Sequence, residues 1–273
     1  MIAGMEPVPA EVIEGATDLR VISRFGVGYD NVDVAAATRR GIPVTYIPDA
    51  MVDAVADLTL GLMLAVARRI PEFDRGMKAG EWPRYPAFDV CRKTLAIWGT
   101  GRIGLAVAER ARGFRMTLLG HDPVPNPRFV EELGGDYVER DELLARADFL
   151  TLHLPLTPAT DRVLDAEALA RMKPTAFVIN AARGGLVDED ALHDALTNGR
   201  LGGYATDVFR KEPPAPHPLW SLPNVVATPH IASYTDGAIT RMARAALENL
   251  LMVLEGKRPE HVVNPEVYER PLG

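Results

Sequence analysis

Cysteine is almost missing: Cys91 is the only one in 273 residues. A lone thiol makes no internal disulfide and no paired-cysteine metal site, which points to a reducing compartment. Cys91 has no nucleophile's context and reads as a buried, inert thiol. Long apolar runs are missing as well. The most apolar stretch, residues 58–67, is closed by Arg68 and Arg69 and reaches about half of a bilayer span, so no membrane helix is expected. Before any basic residue the amino terminus carries Glu6, Glu11, Glu14 and Asp18, the reverse of a signal peptide, and a cytoplasmic location follows as the expectation. Positive charge is in deficit: 30 Lys and Arg against 37 Asp and Glu give a net charge of −7. Such a surface repels phosphate backbones and anionic headgroups, which removes nucleic acid and membrane from the expected partners. The chain shows no internal repeat, and its six histidines show no metal-ligand spacing, so no metal is expected.

What is present is the balance of a folded globular protein, 47% hydrophobic and 25% charged. The length suits two domains of moderate size. Apolar strand-like segments alternate with helical spacing: VISRF (21–25), a helix over 31–40, IPVTYIP (42–48), a long helix over 50–69, then a Pro- and Trp-bearing connection. After it come TLAIWGTG (94–101), a helix over 102–112, MTLLGHD (116–122), DFLTLHLP (148–155), AFVINAARG (176–184), GYATDVF (203–209) and NVVATPH (224–230). Each is preceded by a helical stretch, the alternation of a doubly wound α/β parallel sheet. Six strands fall within 50–231, a dinucleotide-type domain. Residues 1–49 and 232–273 make a smaller, discontinuous domain with two clear strands, the stub at Ile2, a final helix over 236–255 and an irregular tail.

Gly99, Gly101 and Gly104 spell G-x-G-x-x-G between an apolar strand and a helix, the context in which the motif carries meaning. The first glycine allows the tight turn, the second lets backbone approach a pyrophosphate, and the third lets helix pack on strand. Asp122 ends the next strand, where a carboxylate accepts hydrogen bonds from the hydroxyls of an adenosine ribose and meets a 2′-phosphate with like charge. NAD rather than NADP is the expected cofactor, with Arg128 as the nearby residue that opposes this. Downstream, Arg183, Glu212 and His230 lie at carboxyl ends of strands, where open α/β sheets place their ligands. A guanidinium holds a carboxylate by two bonds, an imidazole exchanges a proton with a carbonyl or carbinol oxygen, and a carboxylate beside the imidazole supports its protonated form. Alone, each of the three also reads as an ordinary loop residue.

Together these residues resemble the D-isomer-specific 2-hydroxyacid dehydrogenases. The likeness runs from Ile2 to Pro265 through FGVGYDNVD (25–33), VADLTLGLML (55–64), GTGRIG (99–104), HLPLTPAT (153–160), NAARGGLVDEDAL (180–192), ATDVFRKEP (205–213) and TPHIASYT (228–235). It implies that Arg183 binds the substrate carboxylate and carbonyl, that His230 is the acid/base and that Glu212 pairs with it. It also implies nicotinamide contacts at Asp207 and Ala181, pyrophosphate contacts at the backbone of Arg102 and Ile103, and cofactor contacts at His153 and Pro155. Substrate carboxylate would meet the amides of Val27 and Gly28. Arg24 either faces a substrate phosphate, as in phosphoglycerate dehydrogenases, or is a solvated arginine. The resemblance makes a small 2-hydroxy or 2-keto acid the expected substrate, with 3-phosphoglycerate, glyoxylate and hydroxypyruvate as candidates, and a homodimer the expected assembly. A non-catalytic NAD-binding regulatory protein is the alternative. Family members carry two further strand and helix units before the segment matching MIAGMEPV. Without them the smaller domain is expected to leave a sheet edge unpaired and apolar helix faces uncovered, and about 40 to 60 further upstream residues are expected.

Overall fold

A computed structural model describes residues 1–269. The irregular tail expected over 256–273 lies partly outside the described residues. The chain divides into two compact units, Asp53–Ala232 and a second one formed by Met1–Val52 together with the segment from Ser233 onward.

In the smaller unit three short strands, β1 (Ile2–Ala3), β2 (Ile22–Arg24) and β3 (Val44–Thr45), pair in parallel in that order. Their core is Ile13, Ile22, Ala36, Ala37, Val44 and neighbours. Helix Val34–Arg39 starts because Asp33 caps it, its carboxylate accepting from the amide of Ala36 at 2.8 Å. The final helix, Asp236–Leu254, is capped in the same way by Thr235. It buries Ala238, Met242 and Ala246, and Ser23 donates its hydroxyl to the carbonyl of Ala246 at 2.8 Å. Of the sheet's two edges, β1 pairs with β2 alone among the named strands, whereas the edge at β3 is covered. Asn264 accepts from the amide of Val44 at 2.8 Å and donates to the carbonyl of Ile42 at 2.9 Å, while Val263 donates to the carbonyl of Val44. The tail therefore closes that edge by mimicking a strand. Uncovered apolar surface does occur on the final helix, where Leu247, Leu251 and Leu254 share one face and are 49%, 46% and 39% exposed.

The larger unit holds seven parallel strands: β4 (Thr94–Trp98), β5 (Thr117–His121), β6 (Asp136–Tyr137), β7 (Phe149–Leu152), β8 (Phe177–Asn180), β9 (Gly203–Thr206) and β10 (Val225–Ala227). They run in the order β10-β9-β8-β7-β4-β5-β6, doubly wound with the reversal between β4 and β7. Six strands were expected. The seventh, β6, is two residues long and beneath the reach of any alternation pattern. Central strands such as Leu95–Trp98, Phe149–Leu152 and Phe177–Asn180 are buried on both faces, which is why they read as near-continuous apolar runs. A second difference is helix Ile70–Lys78, where a connection was expected. Pro71 sits in its first turn, the one part of a helix that tolerates proline. Cys91 is exposed, not buried as expected: it lies in the turn leading into β4, outside the sheet's packed layers. Among the described residues no helix is long and apolar enough to cross a membrane.

The buried polar residues of this unit, Thr100, Thr151, Asn180, Thr206 and Asp207, lie at or just beyond the carboxyl ends of its strands. Burying such groups costs energy unless they are hydrogen-bonded, so their grouping at one end of the sheet marks where polarity has been kept for use.

Candidate functional site

At the reversal of strand order, β4 ends in the glycine loop. Gly99 has φ +99°, and a Cβ there would come within 2.5 Å of the carbonyl oxygen of His153, which follows β7. Only glycine meets both demands. At Gly104 a Cβ would lie 2.1 Å from the carbonyl oxygen of Gly99, so the third glycine is what lets helix Arg102–Ala111 pack onto its own loop. Gly101 differs: nothing lies within 4 Å of the Cβ position, and the backbone there faces open space. The first bond of the helix runs from the amide of Leu105 to the carbonyl of Gly101, so the amides of Arg102 and Ile103 precede it at the helix's positive end. A pyrophosphate fits this cradle on chemical grounds.

Beyond β5, Asp122 accepts from the amide of Thr100 at 2.7 Å and from that of Val124 at 2.9 Å. A carboxylate offers about four acceptor positions, so it braces the glycine loop and keeps acceptor capacity for ribose hydroxyls. Arg128, which opposed the NAD reading, is exposed and pairs with Glu132 at 3.1 Å.

The second cluster gathers three loops. Asn180, buried at the end of β8, donates to the carbonyl of Arg183 at 2.9 Å and accepts from the amide of Ala182 at 3.1 Å, fixing the turn that holds Ala181 and Arg183. A Cβ on Gly184 would lie 2.0 Å from the carbonyl carbon of Phe209, so the glycine after the arginine admits the loop after β9. That loop carries Glu212. One of its carboxylate oxygens accepts from the amide of Phe209 at 3.0 Å, and the other is 2.7 Å from Nδ1 of His230. Burial alone would raise the carboxyl pKa, but the bonds from His230 and Phe209, together with the charges of His230 and Arg183, outweigh it and hold Glu212 below the usual carboxylate range. The structure thus brings Arg183, Glu212 and His230 together.

His230 itself sits in the left-handed region, at φ +53°, a conformation that persists only where the surroundings enforce it. Asp207 does so. Fully buried, it accepts from the Thr228 hydroxyl at 2.6 Å, the Ile231 amide at 2.9 Å and the Ala232 amide at 2.7 Å, three donors that flank the histidine. Thr228 and Asn180 escaped the sequence reading, since nothing in their spacing marks them. His153 directs Nε2 to the hydroxyl of Thr151 at 3.0 Å, while Nδ1 is buried without a partner. Burial pushes this imidazole down to about 3, so it is neutral. Pro155 follows, its carbonyl accepting from the hydroxyl of Thr160 at 2.6 Å.

Val27, Gly28 and Arg24 belong to the smaller unit. Gly26 has φ +149°, which the loop before Val27 and Gly28 requires. Arg24 is 8% exposed, so the solvated alternative does not hold. Its guanidinium donates to the carbonyls of Ala3 and Phe25 at 3.1 and 3.0 Å and to the side chain of Asn31 at 3.1 Å, stitching β1 to the loop of residues 25–31.

Residues 60–232 match the family model described as the D-isomer specific 2-hydroxyacid dehydrogenase, NAD binding domain. The chain belongs to the D-isomer-specific 2-hydroxyacid dehydrogenases. It is an NAD-linked oxidoreductase of that family. Over 270 residues it is 45% identical to a D-3-phosphoglycerate dehydrogenase of Methanocaldococcus jannaschii, covering 97% of this chain and 52% of that protein. Against a glyoxylate reductase of Korarchaeum cryptofilum it is 44% identical, covering 98% of this chain and 83% of the relative. It thus spans about half the length of the first and about four-fifths of the second. The crystal structure of a glyoxylate reductase from Paecilomyes thermophila superposes with a TM-score of 0.89 at 34% identity, covering 97% of this chain and 83% of that one.

Proposed function

We propose that this chain reduces a small, unphosphorylated 2-keto acid of the glyoxylate or hydroxypyruvate type to the D-2-hydroxy acid, consuming NADH and one proton. The observation that carries the reading is the convergence of Arg183, Glu212 and His230, with Nδ1 of His230 2.7 Å from Glu212 and the Arg183 charge acting on the same carboxylate. Arg183 clamps the substrate carboxylate, a planar fork matched to a planar anion. Because Glu212 engages Nδ1, the proton leaves His230 from Nε2 toward the carbonyl oxygen as the alkoxide develops. Bound NADH supplies the hydride to the carbonyl carbon. Asp207 holds His230 in its left-handed turn, while Gly99, Gly101 and the amides of Arg102 and Ile103 hold the pyrophosphate, with Asp122 on the ribose.

Preference for an unphosphorylated acid over 3-phosphoglycerate follows from Arg24, whose Nε and Nη1 are committed to protein acceptors. NADH consumption with glyoxylate, hydroxypyruvate, phosphohydroxypyruvate and 2-oxoglutarate tests the reading. Glyoxylate or hydroxypyruvate should give the highest kcat/KM, and His230→Ala should lower kcat by about 10² to 10⁴ with NADH binding retained. A chain that binds NADH and reduces none of the four acids would overturn the assignment, and a clear preference for phosphohydroxypyruvate would overturn the part drawn from Arg24.

The assembly we propose is a homodimer in the cytoplasm. Support comes from the exposed apolar side chains along residues 70–88, where Ile70, Met77, Trp82 and Phe88 are 52%, 51%, 73% and 43% exposed. Sedimentation of the chain as a monomer at micromolar concentration would rule it out.

A further inference from the structure

We propose that Tyr137, on the short edge strand β6, is a positioning residue that sets the preference for NADH over NADPH by fixing the carboxylate of Asp122. The proposal rests on the reading that Asp122 meets the adenosine ribose. A directed chain of hydrogen bonds reaches that carboxylate. The amide of Asn126 donates to the phenolic oxygen of Tyr137 at 2.8 Å, the Tyr137 and Thr100 hydroxyls share a bond of 2.5 Å, and the Thr100 hydroxyl lies 3.4 Å from Oδ2 of Asp122. The phenol also lies 3.5 Å from the carbonyl of Asn126, a much longer approach than its 2.5 Å to Thr100; with the phenolic proton in the shorter bond, Asn126 gives to Tyr137, Tyr137 to Thr100, and Thr100 to the carboxylate.

Tyr137 thereby joins the two loops that flank the ribose position, the glycine loop through Thr100 and the loop after β5 through Asn126. Asn126 is itself tied into the next helical turn, its side chain accepting from the amide of Arg128 at 3.1 Å. The phenol is held from below. Its ring packs on Phe129 at 5.1 Å, and Phe129 fills space that exists only because Gly120 and Gly135 lack side chains, whose Cβ atoms would lie 2.7 and 2.4 Å from its ring. A 2′-phosphate is accommodated only if the carboxylate swings aside, since like charges repel. With donors on both oxygens and Tyr137 steadying Thr100, Asp122 has little freedom to do so. Selectivity on this account needs the acid and its restraint together.

The test is titration of the protein's tryptophan fluorescence with NADH and with NADPH, without substrate. Tyr137→Phe keeps the ring and removes the hydroxyl, so the ratio of NADH to NADPH affinity should fall about fivefold, the size of one lost hydrogen bond. NADH should weaken while NADPH does not. Thr100→Val should lower the ratio similarly, Thr100→Ser should preserve it, and the double variant Tyr137→Phe with Thr100→Val should fall no further than either alone. A merely structural tyrosine would weaken both nucleotides by the same factor, and that result, or an unchanged ratio in Tyr137→Phe and Thr100→Val, overturns the proposal. Failure of the unaltered chain to bind NADH would defeat the underlying cofactor reading and the proposal with it, whereas NADH binding with an unmoved ratio defeats the proposal alone.

Discussion

Two glycines of one motif should fail in opposite ways when each is changed to alanine. At Gly104 the new methyl group would lie 2.1 Å from the carbonyl oxygen of Gly99 and 3.2 Å from Cγ2 of Ile97. A comfortable carbon–oxygen contact is roughly 1 Å longer than the first of these, so either the glycine loop or the whole first turn of helix Arg102–Ala111 must move by about that much. Overpacking of this kind costs about 1 to 3 kcal/mol, and for a unit of this size each kcal/mol lowers the melting temperature by about 2 to 4 °C. Gly104→Ala should therefore melt several degrees earlier and bind NADH poorly, because the loop has shifted. Gly101 has nothing within 4 Å of its Cβ position, and its backbone, at φ −68° and ψ −163°, is open to alanine. Alanine there makes a weaker helix cap and a stiffer unfolded chain, two effects of opposite sign and about 0.5 to 1 kcal/mol each. Stability should hardly change. Affinity should fall at least about tenfold, equivalent to about 1.4 kcal/mol, because the methyl group occupies the approach of the pyrophosphate. Calorimetry of the two variants with NADH titration separates the cases. If Gly101→Ala keeps its NADH affinity, or loses as much stability as Gly104→Ala, the open side of this turn is not where the dinucleotide lies.

Asp207→Asn should damage both the fold and the chemistry, because an amide nitrogen would confront either the Ala232 amide or the Thr228 and Ile231 donors, leaving a buried donor unpaired at a cost of about 1 to 3 kcal/mol. Melting temperature and kcat should fall together while NADH still binds, and a normal kcat would remove Asp207 from the support of His230. For His153, held at about 3 against an ordinary value near 6.5, the unfolded chain takes up a proton as pH falls below about 6.5 and the folded chain does not. Stability present above that pH is lost on the way down toward 3, by up to about 1.4 kcal/mol per unit. Urea midpoints at pH 7 and 4.5 should separate further for the unaltered chain than for His153→Gln, and equal separations would show that the imidazole titrates freely.

What could be read from sequence, and what could not, divides along a physical line. Gly99, Gly101, Gly104 and Asp122 were legible because their work is local: a turn, a backbone approach, a strand end, all fixed by residues within one strand–helix step. Arg183, Glu212 and His230 were legible only as separate strand-end residues, and the fold was needed to bring Glu212 within 2.7 Å of His230. Helix Ile70–Lys78 went unread because Pro71 argues against a helix everywhere except in the first turn, where it stands. Least legible were residues whose partners are remote in the chain and whose own neighbourhoods are unremarkable. Asn264 closes the edge of β3 through Val44, some 220 residues away, and Tyr137 reaches Thr100 from a strand of two residues. Asp207, a nicotinamide contact by resemblance, also turns its carboxylate oxygens to the Thr228 hydroxyl and to the amides of Ile231 and Ala232, a role that the resemblance does not carry. A buried carboxylate is stabilised by the donors around it, and these three donors flank the left-handed turn of His230. Motifs of backbone geometry can thus be found by spacing, whereas side chains that hold a strained residue such as His230 in place are found by tracing which donors their acceptors receive.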